Sequence, residues 1–334
     1  DQMLADTYER RYEAHPLYSQ LWAIRRTIRQ LYDSAQGNRE NRHQKIARLR
    51  EKADEIDFQI RDQLLGEARV IACTLTGSAS PLLVGRHFSS LFIDEAAQAL
   101  QAACWIAMQR ADRVILAGDH CQLPPTVKSP EALAGGLGRT LMQKIVEVHP
   151  EAVSLLGVQY RMTDSIMQFP NQEFYEGRLQ SDSSVRYRSI LDWDTAIEWI
   201  DTPAEPEYGE QEAGNGMSRQ NPAEARLTVD TLKAYLERIG TQRILDERLD
   251  VGLISPYKGQ VRLLRQLIKR DPWWKPFRRF ISINTVDGFQ GQERDIIMIS
   301  MVRANSEGQV GFLRDLRRMN AVSYTHLRAH ETTL

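Results

Sequence analysis

Residues 91–98, Leu91-Phe92-Ile93-Asp94-Glu95-Ala96-Ala97-Gln98, set two adjacent acids at the end of a short apolar run, and no other stretch limits the possible architectures as much. A strand over residues 90–93 without polar alternation is expected to be buried on both faces of a parallel sheet. Open α/β sheets bind ligands beyond the carboxyl ends of their strands, which is where Asp94 and Glu95 fall. There Asp94 could hold Mg²⁺, directly or through water, and Glu95 could activate a water against a nucleotide γ-phosphate. A plain strand end running into a helix, whose N-terminus favours acids, fits the same eight residues.

The text on either side has the rhythm of an α/β protein. Residues 68–74 are β-rich and end in Thr74, Thr76, Gly77, Ser78 and Ser80, a small polar loop able to hold a phosphate or simply to turn the chain. Residues 113–125 repeat the pattern: Arg113-Val114-Ile115-Leu116-Ala117 enters Gly118-Asp119-His120-Cys121-Gln122-Leu123-Pro124-Pro125, a loop stiffened by its prolines. Gln122 is thereby expected at the sheet edge that carries Asp94 and Glu95. Gly135-Gly136-Leu137-Gly138 lacks the Gly-Lys-Ser/Thr ending of a phosphate loop and reads as a turn before a helix over 140–148. Residues 154–162 are strand-like and set Arg161 beside Tyr160. Residues 201–220 read as an exposed loop or insertion. The rhythm then restarts with a helix over 223–236, a strand from Val251 entering Ser255-Pro256-Tyr257-Lys258, and further strands at 281–284 and 295–302.

Before all this stands a different texture. Leu17, Leu21, Ile24, Ile28 and Leu31 recur at helical spacing, as do Ile46, Leu49, Ala53, Ile56 and Ile60, with turn residues at 33–38 between them. Two amphipathic helices in an antiparallel hairpin are the economical arrangement. Their Arg25, Arg26, Arg29, Arg42, Arg48 and Arg50 are either a solvated charged face or a nucleic-acid rail. The interleaved residues 269–279, with Trp273 and Trp274 among lysines and arginines, pose the same choice between packing and nucleic-acid contact.

The chain of 334 residues is 42% hydrophobic and 26% charged, enough for two compact domains. Its formal net charge of −1 places any nucleic-acid contact in local patches rather than in the overall field. Cys73, Cys104 and Cys121 form no zinc or redox pattern, which suits a reducing compartment and a cytoplasmic location. No apolar stretch is long enough to span a bilayer and none resembles a signal peptide.

Taken together, these loops resemble a superfamily 1 helicase of the up-frameshift-like branch, nearest the immunoglobulin mu-binding-protein type. The resemblance covers residues 70–322 and implies an α/β fold of two RecA-like P-loop NTPase domains, the first incomplete, gripping Mg-ATP between them. Asp94-Glu95-Ala96-Ala97 is similar to the Walker B motif, which implies metal coordination by Asp94 and water activation by Glu95. Gln122 takes the γ-phosphate-sensing position and Arg161, in Gln159-Tyr160-Arg161-Met162, a phosphate-facing one. In residues 285–293 the resemblance sets Gly291 near phosphate and Glu293 near ribose, in a motif that begins with Thr285 and couples nucleotide to nucleic acid. Thr74 and Thr76, and Ser255, Pro256 and Tyr257, fall in nucleic-acid-contacting motifs. The implied organisation is a helical stalk inserted at 1–66, the remainder of the first RecA-like domain at 67–153, and a truncated second one at 154–322.

Two departures qualify it. No Gly-x-x-x-x-Gly-Lys-Ser/Thr occurs in the 334 residues, so the Walker A cradle is missing. Arg317-Arg318-Met319-Asn320-Ala321-Val322 begins the last helicase motif, but residues 323–334 do not continue it and read as a non-native tail. Arg328 therefore does not inherit the role of arginine finger, a group that supplies roughly 10³ to 10⁵ in rate. The expectation is an ATP-driven helicase or translocase on single-stranded DNA or RNA, 5′-to-3′, with a monomeric core and no membrane partner, in which this stretch alone is inactive. An ATP-gated nucleic-acid clamp without unwinding is the alternative, and an interaction scaffold a more distant third.

Overall fold

The computed structural model describes residues 8–33, 39–192, 194–203, 205–214, 216, 218–289 and 291–323. The expected turn at 34–38, Gln290 and the expected tail beyond 323 lie outside the described residues. The chain is mixed α/β and divides into two compact units, one of Asp1–Ile93 with Gln101–Leu116, the other of Asp94–Leu100 with Ala117–Leu334.

In the first unit α1 (Tyr8–Glu13), α2 (Tyr18–Asp33) and α3 (Arg39–Glu67) pack over Leu21, Ile24, Ala53, Ile56 and Ile60, from the stripes expected by their spacing, and over Leu64 one turn further on. Polar pairs run in opposite senses along the chain: Arg11 meets Glu67, His15 meets Gln63 and Arg25 meets Asp57. The bundle is therefore antiparallel. Arg25, Arg26, Arg29, Arg48 and Arg50 are exposed on it, with Arg26 over the Trp22 ring and Arg50 over Tyr32.

Strand β1 (Leu91–Ile93) pairs in parallel with β2 (Val114–Leu116), the helix α4 (Gln101–Met108) lying between them in sequence. Burial on both faces is not what the structure shows. Ile93 is 3% exposed but its neighbour Phe92 is 72% exposed. Side chains alternate across a strand, so a two-stranded sheet packed on one side hides only every second residue. Nor do residues 68–74 form a strand; Val70 is 86% exposed. A β-rich run becomes a strand only where a ladder accepts its N–H and C=O groups, and no described strand pairs with this one.

The second unit continues with α5 (Pro130–Ala134) and α6 (Leu141–Val148), the latter capped by the Thr140 hydroxyl on Gln143 N. Then β3 (Val158–Gln159) pairs in parallel with β4 (Gln180–Ser181) across α7 (Asp164–Phe174). Residues 201–220 are more ordered than a loop, since β5 (Gln211–Ala213) and β6 (Ser218–Gln220) form an antiparallel hairpin. After α8 (Pro222–Ile239) and α9 (Thr241–Glu247) comes a parallel sheet in the order β8-β7-β9. It is built from β7 (Val251–Ile254), β8 (Ile281–Asn284) and β9 (Ile296–Ile299), with α10 (Lys258–Arg270) and the single turn α11 (Val286–Phe289) in the connections. All four residues of the central β7 are buried, as an apolar run in a parallel sheet requires. Trp274 has no exposed surface and lies edge-on to Trp273, so the basic and aromatic stretch uses its tryptophans for packing. Helix α12 (Leu316–Ser323) closes the described chain. No described helix is long and apolar enough to cross a membrane.

Leu232, fully buried between α8 and the sheet, tests this core. Leu232→Ala is expected to cost about 2–5 kcal/mol in urea unfolding followed by tryptophan fluorescence. Leu156→Ala, at a largely exposed position, is expected to change stability by less than about 0.5 kcal/mol.

Candidate functional site

Asp94 and Glu95 follow directly on β1 and enter the second unit, where two loops meet closely. Ala96 N donates to Ala117 O at 2.8 Å, tying the acid-bearing loop to the one that begins at Gly118. A Cβ on Gly118 would stand 3.0 Å from Ala96 N and 3.1 Å from Ala97 N, so glycine is what allows the approach. Glu95 adopts the left-handed conformation at φ 51°, an arrangement that costs a non-glycine residue roughly 1 kcal/mol or more. Its amide donates to Asp94 Oδ1 at 3.0 Å, and its own Oε2 accepts from Gln98 Nε2 at 2.6 Å.

Around this junction lies a cavity of about 270 Å³, lined by Asp94, Glu95, Gly118, Asp119, Gln122, Arg161, Gly291 and Ala321. Gly291 approaches Glu95 closely enough that a Cβ there would lie 4.0 Å from Glu95 Oε1. Arg161 pairs with Glu293, 132 residues away, both side chains being part-exposed. What aims Arg161 is Gln159. Its Oε1 accepts from the backbone amides of Arg161 at 2.8 Å and Met162 at 2.7 Å, and its Nε2 donates to Met162 O and Ser181 Oγ. Six residues expected to handle nucleotide, Asp94, Glu95, Gln122, Arg161, Gly291 and Glu293, thus gather on or beside one cavity.

The chemistry of this set suits a hydrated divalent cation. Asp94 Oδ2 has no hydrogen-bond partner among the described residues, and a hard oxygen ligand on the cavity wall is what Mg²⁺ takes. The neighbouring group of Asp119, His120 and Cys121, whose ligand atoms lie within 4.8 Å of one another, is less suited. Both Asp119 oxygens already accept hydrogen bonds, and burial, with the Asp119 charge second, pushes the Cys121 thiol up to about 11.

The residues expected at nucleic acid fall in both units. Thr74 and Thr76 are exposed in the first unit, where Thr74 Oγ1 accepts from Gly77 N at 3.0 Å. In the second unit Ser255 and Tyr257 are buried, the Ser255 hydroxyl accepting from Tyr257 N within the loop after β7 and Tyr257 lining a cavity, and Pro256 and Thr285 are half-buried. Beside Tyr257 is a larger cavity, about 610 Å³, bordered by Arg219, Arg303, Arg314 and Arg318. Sequence reading did not single out those arginines. It also gave no role to Gln159, Asp119, Tyr175 or Asn320, although all but Tyr175 stand inside quoted motifs, and Asp119 and Gln159 could have been weighed for the polar atoms they bring beside Gln122 and Arg161.

Carboxylates, an amide and an arginine thus surround one cavity at a strand end of a mixed α/β chain. Two AAA-domain family models match the chain, one over residues 10–130 and the other over 137–331. The chain belongs to this family, in the up-frameshift-like branch of the superfamily 1 helicases. It is 36% identical over 283 residues to an uncharacterized ATP-dependent helicase of Methanocaldococcus jannaschii, covering 84% of this chain and 41% of that protein. Over 327 residues it is 36% identical to the DNA-binding protein SMUBP-2 of Mesocricetus auratus, covering 92% of this chain and 32% of that one. The DNA polymerase alpha-associated DNA helicase A of Saccharomyces cerevisiae is 33% identical over 307 residues, with 82% and 43% covered. The chain therefore spans about a third to two-fifths of the length of these relatives.

The raised Cys121 pKa keeps its thiol protonated below about pH 11, while exposed Cys73 is open to reagent. Alkylation with iodoacetamide at pH 8, followed by peptide mass spectrometry, is expected to modify Cys73 at least about ten times faster than Cys121. Equal rates would contradict the site as described.

Proposed function

We propose that this chain is the core of an Mg-ATP-driven helicase or translocase that moves 5′-to-3′ on single-stranded DNA or RNA. The observation that carries the reading is the convergence of Asp94, Glu95, Gln122 and Arg161 on one cavity, with Gly291 on its wall and Glu293 held by Arg161. On this reading the architecture is two RecA-like domains, at 67–153 and 154–322, with the helical hairpin of 1–66 as a stalk. The core acts as a monomer in the cytoplasm.

Within the cavity each group has a task. Asp94 holds Mg²⁺, which when bound neutralises phosphate charge. Glu95, exposed and one residue on, takes the proton of the attacking water. Gln122 orients that water, Arg161 stabilises the charge that develops on the transferred phosphoryl group, and Glu293 lies toward the ribose. Gly291 leaves room for phosphate. Nucleic acid follows Thr74, Thr76 and Thr285 and the Ser255-Pro256-Tyr257 loop; the arginine-bordered cavity beside Tyr257 suits its phosphodiester backbone.

The 334-residue chain by itself is expected to hydrolyse ATP feebly or not at all, because backbone N–H groups and a Walker A lysine are the principal hold on the phosphates. Robust turnover stimulated by single-stranded nucleic acid in the purified chain would refute this. In the protein at its natural length, Glu95→Gln is expected to abolish turnover while ATP-dependent binding to a fluorescent oligonucleotide persists; retained turnover would remove Glu95 from its role. A strand-displacement assay separates the helicase from an ATP-gated clamp, which would bind in an ATP-dependent way and displace nothing.

A further inference from the structure

Behind the cavity wall a line of hydrogen bonds runs from Gln122 to helix α12. Its middle member is Tyr175, the residue after α7, which is buried. The Tyr175 hydroxyl meets Asp119 Oδ2 on one side and Asn320 Nδ2, at 2.9 Å, on the other. Asn320 Nδ2 also reaches the carbonyl oxygen of Cys121 at 3.0 Å. These contacts join segments 56, 145 and 199 residues apart in sequence.

The direction of each bond follows from what the groups can give. A backbone carbonyl only accepts, so the edge of Asn320 that faces Cys121 is its NH₂, and that nitrogen offers its second hydrogen to Tyr175. A phenol has one proton. With an N–H pointed at its oxygen, Tyr175 sends that proton to Asp119. Asp119 Oδ2 also accepts from Gln122 Nε2 at 2.9 Å, and Oδ1 accepts from Cys121 N at 3.0 Å. The Gln122 amide is therefore turned with its nitrogen toward Asp119. Its oxygen, which has no partner among the described residues, remains as an acceptor for a water proton.

Asn320 explains its own presence. It is fully buried, and its Oδ1 has no hydrogen-bond partner among the described residues. A buried acceptor left unpaired is destabilising, and an apolar side chain would avoid that cost. What asparagine adds here is the NH₂ group shared by Tyr175 and Cys121.

Reading the cavity as an ATPase site, we propose that Tyr175 is a positioning residue for hydrolysis. Its hydroxyl fixes Asp119, and through it the Gln122 amide, and ties that loop to α12 so that the two move together. The cavity is lined by Asp119 and Gln122 and not by Tyr175 or Asn320, which act through Asp119.

Tyr175→Phe keeps the ring and removes the link. In hydrogen exchange by mass spectrometry on the 334-residue chain, the variant is expected to exchange about tenfold faster in both 117–123 and 316–323, with the α2–α3 hairpin unchanged. Acceleration confined to the peptide that carries residue 175 would overturn the proposal. In the protein at its natural length, with ATP turnover stimulated by single-stranded DNA, kcat is expected to fall about tenfold with KM within about twofold. An unchanged kcat would overturn it. Asn320→Asp offers an acceptor that draws the phenol proton away from Asp119, and it should reproduce the kcat loss. The double variant should then be no worse than the weaker single, whereas additive losses would show two independent effects and overturn the link. If the wild-type protein turns over no ATP, the proposed function falls, and the exchange experiment still decides whether Tyr175 couples the two segments.

Discussion

The candidate site depends on one backbone junction, the Ala96 N to Ala117 O hydrogen bond with Gly118 beside it. Asp94 and Glu95 leave β1 on one loop, while Asp119 and Gln122 lie on another. The single bond and the absent side chain bring these loops together. Any larger residue at 118 would press on the amides of Ala96 and Ala97, and a shift there would carry the two acids with it. The left-handed turn at Glu95 belongs to the same constraint: its strain turns the carboxylate toward Gly291 and Gln98.

Around that junction the polar groups hold one another in a definite order. Gln159 spends its whole amide on the backbone near Arg161 and on Ser181, so the arginine leaves its loop in one direction. Arg161 in turn engages Glu293. Asp119 accepts from Cys121 N, Gln122 and Tyr175, which leaves it a fixed anchor for the amide of Gln122. An exchange with water offsets most of the gain of the neutral bonds, and those to Asp119 and Glu293 are stronger for being charge-assisted. Their value lies in orientation, because polar groups already held in place need no reorganisation when charge develops beside them.

Much of this was legible from residue patterns. The helical hairpin followed from Leu21, Ile24, Ile56 and Ile60 at helical spacing, and β7 from an apolar run too short for a helix. The strand expected at 68–74 and the two-sided burial expected for Phe92 failed for a common reason. Composition reports what a residue prefers, while strand formation and burial need a partner, and the described residues supply none there. The Trp273 and Trp274 stretch was ambiguous in sequence because stacking on a base and packing on a neighbour use the same ring faces; Trp274 is enclosed by its own core.

By itself the sequence determined the family, the kinds of polar group available and the order in which they occur, because those are carried by short motifs with local spacing. Only the tertiary structure decided which groups share a cavity, which way Gln122 and Asn320 turn their amides, and that Tyr175 stands between them. Such contacts join positions 56 to 199 residues apart, a separation at which no local pattern records proximity. The direction of a hydrogen bond, moreover, is fixed by the partner across the gap, and folding alone supplies that partner.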